Sequence, residues 1–438
     1  MKTNSASKSV LLIDDDPTFR KALRKLLIQL NFSIIDPKTN GEQAWNTISS
    51  HRESKFSLII LDWNIPKING LTLLNRIRRN DAYSETPVLI ISGLLENEDL
   101  KLFEEFPLTE SLQKPVVLKN LANTIENLLK EEQWYQSSKQ EILSTFDKIG
   151  IEGPQSLFML RQLITESPKP NALVISAAKI LIHNERFTAA EELLSFFLEA
   201  TPDSLIGMNQ LAKVYLHTKR FGLAKNVLEQ AQYLSPKNLD RLCLLGDANL
   251  TVLDLQQAQH KFDTALQIDN QNLQAKVGRE FSNSIEPSIA RIAEDAIPKA
   301  YVSLLNSQGI LAVRSGTIEQ GVDQYRNALI YAVDPLTKGR VAFNLGLAYL
   351  RWKKTKEAEG WLKQSLFYSK GEFLKAQNKL DEISYKLLEV NSAKTKENHH
   401  DINNKRSQSN NKSPSVKYLN ELSIESIEYD EEEIETNF

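Results

Sequence analysis

Four apolar residues, Leu58, Ile59, Ile60 and Leu61, run without a break into Asp62 and then into Trp63, Asn64, Ile65 and Pro66, and Gly70 opens a helical pattern. An unbroken apolar run of this length suits a strand covered on both faces, as in a parallel sheet flanked by helices. Asp62 then stands at the carboxyl end of its strand, the edge where open α/β sheets hold their ligands. Taken singly, such a carboxylate is either a strand-end cap or a reactive group.

The same strand-then-helix cycle runs five times through the first 135 residues. Val10 to Ile13 ends in Asp14, Asp15 and Asp16, and Pro17 opens an amphipathic helix through Leu30, in keeping with the preference for proline in a first helical turn. Phe32 to Ile35 precedes a helix from Gly41 to Ile48. Val88 to Ile91 ends in Ser92 and Gly93, ahead of a charged helix from Glu96 to Phe106. Ser111 to Gln113 ends in Lys114 and Pro115, and Val117 to Leu129 is the last helix of the series. The alternation predicts a five-stranded, doubly wound parallel sheet. Such a sheet gathers Asp14, Asp15, Asp62, Ser92 and Lys114 at one edge. Carboxylates crowded together repel, so the cluster calls for a cation, and hard oxygen donors of this kind suit Mg²⁺.

These residues carry a resemblance. The region resembles the CheY-like receiver domain of bacterial two-component response regulators, through the acidic pair Asp14 and Asp15, the segment LDWNIP with Asp62, the hydroxyl of Ser92 and the Lys114-Pro115 pair. Ser92 lies 30 residues after Asp62 (92 − 62) and Lys114 lies 52 after it (114 − 62), spacings usual for that family. The resemblance implies that Asp62 is the phosphoacceptor, taking a phosphoryl group from the histidine of a sensor kinase or phosphotransfer protein. It implies Mg²⁺ held by Asp14, Asp15, Asp62 and the backbone carbonyl of Asn64, with Lys114 and Ser92 contacting the phosphoryl oxygens. Two departures stand out. The family's aromatic residue three positions before the lysine is Ser111 here, and the glycine-alanine turn before that strand is replaced by Glu105, Phe106 and Pro107. The chemistry looks intact, while the usual aromatic relay is absent.

From about residue 136 strand patterns give way to helical spacing with a fixed period. Pro168, Pro202 and Pro236 stand 34 apart (202 − 168, 236 − 202), with Asn270 one period on. Small residues recur where paired helices must approach, at Ala178, Ala212 and Gly246 and again at Ala190, Ala224 and Ala258. Large ones recur at Leu194, Leu228 and Phe262. This is similar to the tetratricopeptide (TPR) repeat, clearest over residues 171–270, with a further unit at Gly346, Tyr349, Ala358 and Leu362 and a weaker one at Gly309, Gly321, Tyr325 and Ala328. Residues 137–170 and 271–301 read as degenerate or shortened units, and Glu372 to Leu388 as a closing helix. Lys179, His183, Lys213 and His217 fall in one stripe, which is either a groove for an acidic peptide or ordinary solvated helix surface.

The expected organisation is a multidomain α/β plus all-α chain: a receiver over 1–135, a TPR solenoid over 136–390, and a disordered tail over 391–438 whose last part, from Tyr418, carries eight acids and no base. That tail end is either a solubilising segment or one that folds on a partner. A formal net charge of −3 over 438 residues argues against a nucleic-acid binder that works by bulk electrostatics. One cysteine, Cys243, excludes an internal disulfide, and no apolar run nears 18 residues, so no membrane span or secretory leader is expected and a cytoplasmic setting is the default. The function expected is a response regulator, phosphorylated on Asp62 by a histidine kinase, whose output is protein binding at the TPR surface, with no catalytic residues beyond those of the phosphorylation itself. The alternatives are a phosphate sink or kinase competitor, and a constitutive TPR scaffold.

Overall fold

A computed structural model describes residues 8–50, 56–80, 82–149, 154–167, 170–285 and 296–385. The expected tail over 391–438 and the repeat-closing Pro168 lie outside the described residues. The chain divides into two compact units, Met1–Gly278 and Arg279–Phe438.

The first unit begins with five parallel strands in the order β2-β1-β3-β4-β5: β1 (Ser9–Ile13), β2 (Ile34–Lys38), β3 (Leu58–Asp62), β4 (Val88–Ser92) and β5 (Thr109–Gln113). Helices α1 (Pro17–Gln29), α2 (Gly41–Ser49), α3 (Gly70–Arg79) and α4 (Asn97–Glu105) follow the first four strands. This is the doubly wound sheet expected. Every residue of β1, β3 and β4 is buried, because these strands carry helices on both faces. One face packs Leu11, Ile13, Ile59, Leu61 and Ile90 against α2, α3 and α4, and the other packs Val10, Leu12, Leu58, Ile60 and Ile91 against Leu23, Leu27, Leu121 and Ile125. Each such side chain contributes about 1.5–3 kcal/mol on burial.

Two strands differ by two residues or more from those expected, both at sheet edges. β2 runs Ile34–Lys38 rather than from Phe32, and takes in Asp36, Pro37 and Lys38, since an edge strand needs no continuous apolar run and tolerates proline. β5 likewise starts at Thr109 instead of Ser111. Helix starts follow local chemistry. Asp16, Asn40 and Asn69 cap α1, α2 and α3 through their side chains, and Glu96 and Asp99 form a capping box on α4.

The largest difference is α5 (Leu118–Ile149), which continues without interruption beyond the expected end at Leu129 and past residue 135. Leu121, Ile125 and Leu128 pack on the sheet, whereas Ile142 and Phe146 pack on the first repeat helices, so one helix serves both regions. Antiparallel helix pairs follow: α6 (Pro154–Glu166), α7 (Pro170–His183), α8 (Phe187–Ala200), α9 (Leu205–His217), α10 (Phe221–Leu234), α11 (Leu239–Thr251), α12 (Leu255–Ile268) and α13 (Leu273–Ser284). The small-against-large register holds: a Cβ added to Gly246 would collide with the Phe262 ring. The turn inside each pair is closed by Glu185, Lys219 or Leu253, with φ of 58°, 61° and 61°. The next amide then donates to a carbonyl five residues back, Arg186 to Leu181, Arg220 to Tyr215 and Asp254 to Asn249.

The second unit continues with helices over Ala296–Arg314, Ile318–Tyr331, Pro335–Arg351 and Thr355–Tyr368, and residues 374–385 are also helical. Gly346 abuts Leu362, and Asn344 donates to the side chain of Asn306 at 3.0 Å in its interior. Among the described residues no helix is long and apolar enough to cross a membrane.

Candidate functional site

The carboxyl ends of β1, β3, β4 and β5 meet at one place. Asp14 follows β1, Asp62 closes β3, Ser92 closes β4 and Lys114 follows β5, whose partner strand receives the Lys114 amide at the Ser92 carbonyl, 2.8 Å away. Carboxylate oxygens of Asp14, Asp15 and Asp62 lie within 4.8 Å of one another. Asp14 and Asp62 are 1% and 6% exposed, whereas Asp15 faces solvent.

Lys114 Nζ sits between the two buried acids, 2.9 Å from Asp14 Oδ2 and 2.7 Å from Asp62 Oδ2, and lies 4.1 Å from the centre of the Phe19 ring. Burial would depress the Lys114 ammonium, but the hydrogen bonds and charges of Asp62 and Asp14 outweigh it and raise its pKa. Asp14 is pushed above the ordinary carboxylate value chiefly by burial, against the pull of Lys114 and of the Asp16 amide. The loops are held from within. Asp16 N donates to Asp14 Oδ1 at 2.8 Å, Arg20 Nη1 to the Asp14 carbonyl at 2.6 Å, and Asn64 N to Asp62 Oδ1 at 3.2 Å. Ser92 is fully buried, and its hydroxyl donates to the Leu94 carbonyl at 2.8 Å, turned into its own loop.

All the side chains singled out for chemistry, Asp14, Asp15, Asp62, Ser92 and Lys114, therefore come to one edge, with Asn64 in the loop behind Asp62. The donor set, three carboxylates with one ammonium neutralising two of them, fits a small hard cation. Sequence reading missed Phe19, which flanks Lys114, and Arg20, which fixes the Asp14 backbone; neither follows from a strand-end pattern, because both lie on α1. The Trp63 ring stands edge-on to Phe103 of α4, with centroids 5.0 Å apart at 89°, so the residue after Asp62 touches the fourth helix directly. Ser111, where an aromatic relay was expected to be missing, is half-buried beside a cavity of about 660 Å³ lined also by Phe103, Phe106, Ile175 and Ile206.

The same stretch of chain is similar to known proteins. Residues 10–126 match the response regulator receiver domain, and residues 207–238 match a tetratricopeptide repeat. Over 83 residues the chain is 29% identical to chemotaxis protein CheY1 of Helicobacter pylori and 28% identical to a CheY homologue of Campylobacter jejuni, in each case 19% of this chain. The chain spans 65% and 62% of the length of those relatives. The solved chemotaxis protein CheY4 of Vibrio cholerae is 24% identical and superposes on 28% of this chain and 99% of its own length, with a TM-score of 0.26.

Proposed function

We propose that the protein is a two-component response regulator, phosphorylated on Asp62 by a histidine kinase or phosphotransfer protein, whose output is protein binding by the TPR helices. The chain carries a receiver domain and a TPR repeat, and it is on the residues of the strand edge that the finer reading rests. The observation that carries it is Lys114, held by Asp14 and Asp62 at one buried point. A lysine committed to two carboxylates is poised to follow negative charge, and an incoming phosphoryl group offers more of it.

In this reading an Asp62 oxygen attacks the phosphorus of a phosphohistidine, the P–O bond forms as the P–N bond breaks, and the freed imidazole leaves with the donor. Lys114 then pairs with a phosphoryl oxygen. Ser92 gives up its bond to Leu94 and donates to another. Asp14, Asp15, Asp62 and the Asn64 carbonyl would hold Mg²⁺, which supplies charge neutralisation to the phosphoryl oxygens. Arg20 and the Asp16 amide keep Asp14 in position. The domain limits follow the same reading, a receiver over 1–135 and a TPR region over 136–390, joined through α5. A nucleic-acid partner has no place in it, and neither does a separate enzymatic output.

The test is incubation with phosphoramidate and Mg²⁺ followed by mapping of the acyl phosphate by mass spectrometry. Modification at Asp62, lost with EDTA and in Asp62→Asn, is the result expected. A modification that maps elsewhere, or its absence while the protein is folded, overturns the reading.

A further inference from the structure

The fourth helix of the receiver ends on a carboxylate that the repeats enclose. Glu105, at 6% exposure, accepts four hydrogen bonds from three TPR residues: Arg241 Nη1 at 2.5 Å and Nη2 at 3.1 Å, Asn209 Nδ2 at 2.7 Å and Asn238 Nδ2 at 2.8 Å. The receptor is built without help from the receiver. Arg241 is held by Gln232 Oε1 at 3.1 Å, by the Ser235 carbonyl and by Asn209 Oδ1 at 3.2 Å, and Asn238 caps α11, so the guanidinium fork is already aimed before a carboxylate arrives. Four converging donors, two from a buried guanidinium and two from side-chain amides, suit a carboxylate and not an amide, whose NH₂ group would meet donors.

Ion pairs continue the polar part of this contact, and Thr72 Oγ1 donates to the Ile268 carbonyl at 2.5 Å. Arg76 of α3 pairs with Asp269, Arg79 lies 3.3 Å from Asp240, and Lys237 lies 2.5 Å from Glu96 and 2.9 Å from Asp99 at the start of α4. Contacts built from ion pairs at the rim of the repeats separate more readily than an apolar core, since each group can be rehydrated. Asp62 connects to this latch through Trp63, which touches Phe103, two residues before Glu105.

We infer that the Asn209–Asn238–Arg241 pocket is a carboxylate-binding site of the TPR surface, filled by Glu105 while the receiver is docked and open to an acidic segment of a partner protein once α4 lifts away. The inference rests on the reading of the repeats as the output surface. It gives that surface a specific ligand chemistry, and it gives a use to Glu105, which replaces part of the turn that the receiver family has at this point.

The test uses the full chain and a fluorescein-labelled synthetic peptide copying residues 101–109, KLFEEFPLT, read by fluorescence anisotropy. Two variants open the latch by different routes: Glu105→Gln removes the internal ligand, and Lys237→Glu sets an acid against Glu96, Glu98 and Asp99 while leaving the pocket whole. Both are expected to bind the peptide at least tenfold more tightly than the unaltered chain. Adding Asn209→Ala to either, or replacing the peptide's second glutamate by glutamine, is expected to return binding to the unaltered level. The inference is overturned if neither opened variant gains affinity while hydrogen exchange shows α11 still folded, or if the glutamine peptide binds as well. Peptide binding needs no phosphorylation. Asp62 modification without peptide binding therefore defeats this inference alone, and peptide binding without Asp62 modification defeats the phosphorylation reading alone.

Discussion

Arg241→Met leaves the Glu105 carboxylate inside the repeats with two amide donors and no counter-charge. Both side chains of that pair are 1% exposed, so solvent does little to soften the loss. Removing one partner of a buried ion pair costs about 3–5 kcal/mol. Undocking limits the cost, because α4 can lift from α9 and α11 and rehydrate its carboxylate. The lower end, about 3 kcal/mol, is therefore expected. Glu105→Leu should cost a similar amount by stranding Arg241. The double variant Glu105→Leu/Arg241→Met removes both charges and fills the space with apolar groups, and is expected to fall short of the sum of the single variants by about 2 kcal/mol. Urea unfolding of the full chain, followed by tryptophan fluorescence and by hydrogen exchange in α4 and α11, measures all four states. A cost under about 1 kcal/mol for Arg241→Met, the value of a surface pair, or additivity within about 0.5 kcal/mol, would refute the claim that this pair anchors α4.

Gly246→Val places two methyl groups and a Cβ where the Phe262 ring already lies, so a loss of about 1–3 kcal/mol is expected from overpacking; an unchanged urea midpoint would contradict the register assigned to the repeats. Burial pushes the Cys243 thiol well above its usual range, so the native protein is expected to resist a disulfide reagent at pH 8 and to react only at the rate of unfolding. For Glu85, burial works to raise the carboxyl, but the hydrogen bonds and charge of Lys139 prevail and hold it below its ordinary value of 4.5. Its contribution is thus fully present above pH 4.5 and lost as pH falls through the depressed value, so Glu85→Gln should lower stability at pH 7 and flatten the acid limb of the stability curve; parallel curves for the two proteins would contradict this.

Much of the strand edge was legible because its logic is local. An unbroken apolar run identifies a covered strand, and the next polar residue then has only one edge to occupy, which is how Asp14, Asp62, Ser92 and Lys114 were brought together. The edge strands were less legible, since β2 includes Asp36, Pro37 and Lys38 and carries no apolar run. The length of α5 was hidden for a different reason: its buried face changes partner midway, from the sheet at Leu128 to the repeats at Ile142, without a break in helical spacing. The repeat turns at Glu185, Lys219 and Leu253 show no common residue type, because the left-handed conformation there is imposed by the helices on either side. Glu105 was visible only as a departure from a family pattern. Its role depends on Arg241, 136 residues later, and no local spacing encodes a partner at that distance.

The missing aromatic at position 111 takes on a different meaning beside Trp63 and Phe103. The residue following Asp62 already touches α4, so a change at Asp62 has a packed route to the helix that carries Glu105. A physical route becomes a coupling only when both ends are shown to bias the same two-state element. Under the latch proposed above, docking of α4 on α9 and α11 is that element.

Hydrogen exchange of the full chain with beryllofluoride and Mg²⁺, which together mimic an aspartyl phosphate, measures this coupling most directly. The account predicts faster exchange in α4 and at the start of α11 when the mimic is added, and no response in Asp62→Asn. Identical exchange in both helices with and without the mimic, in a protein whose Asp62 is shown to carry it, would contradict the account.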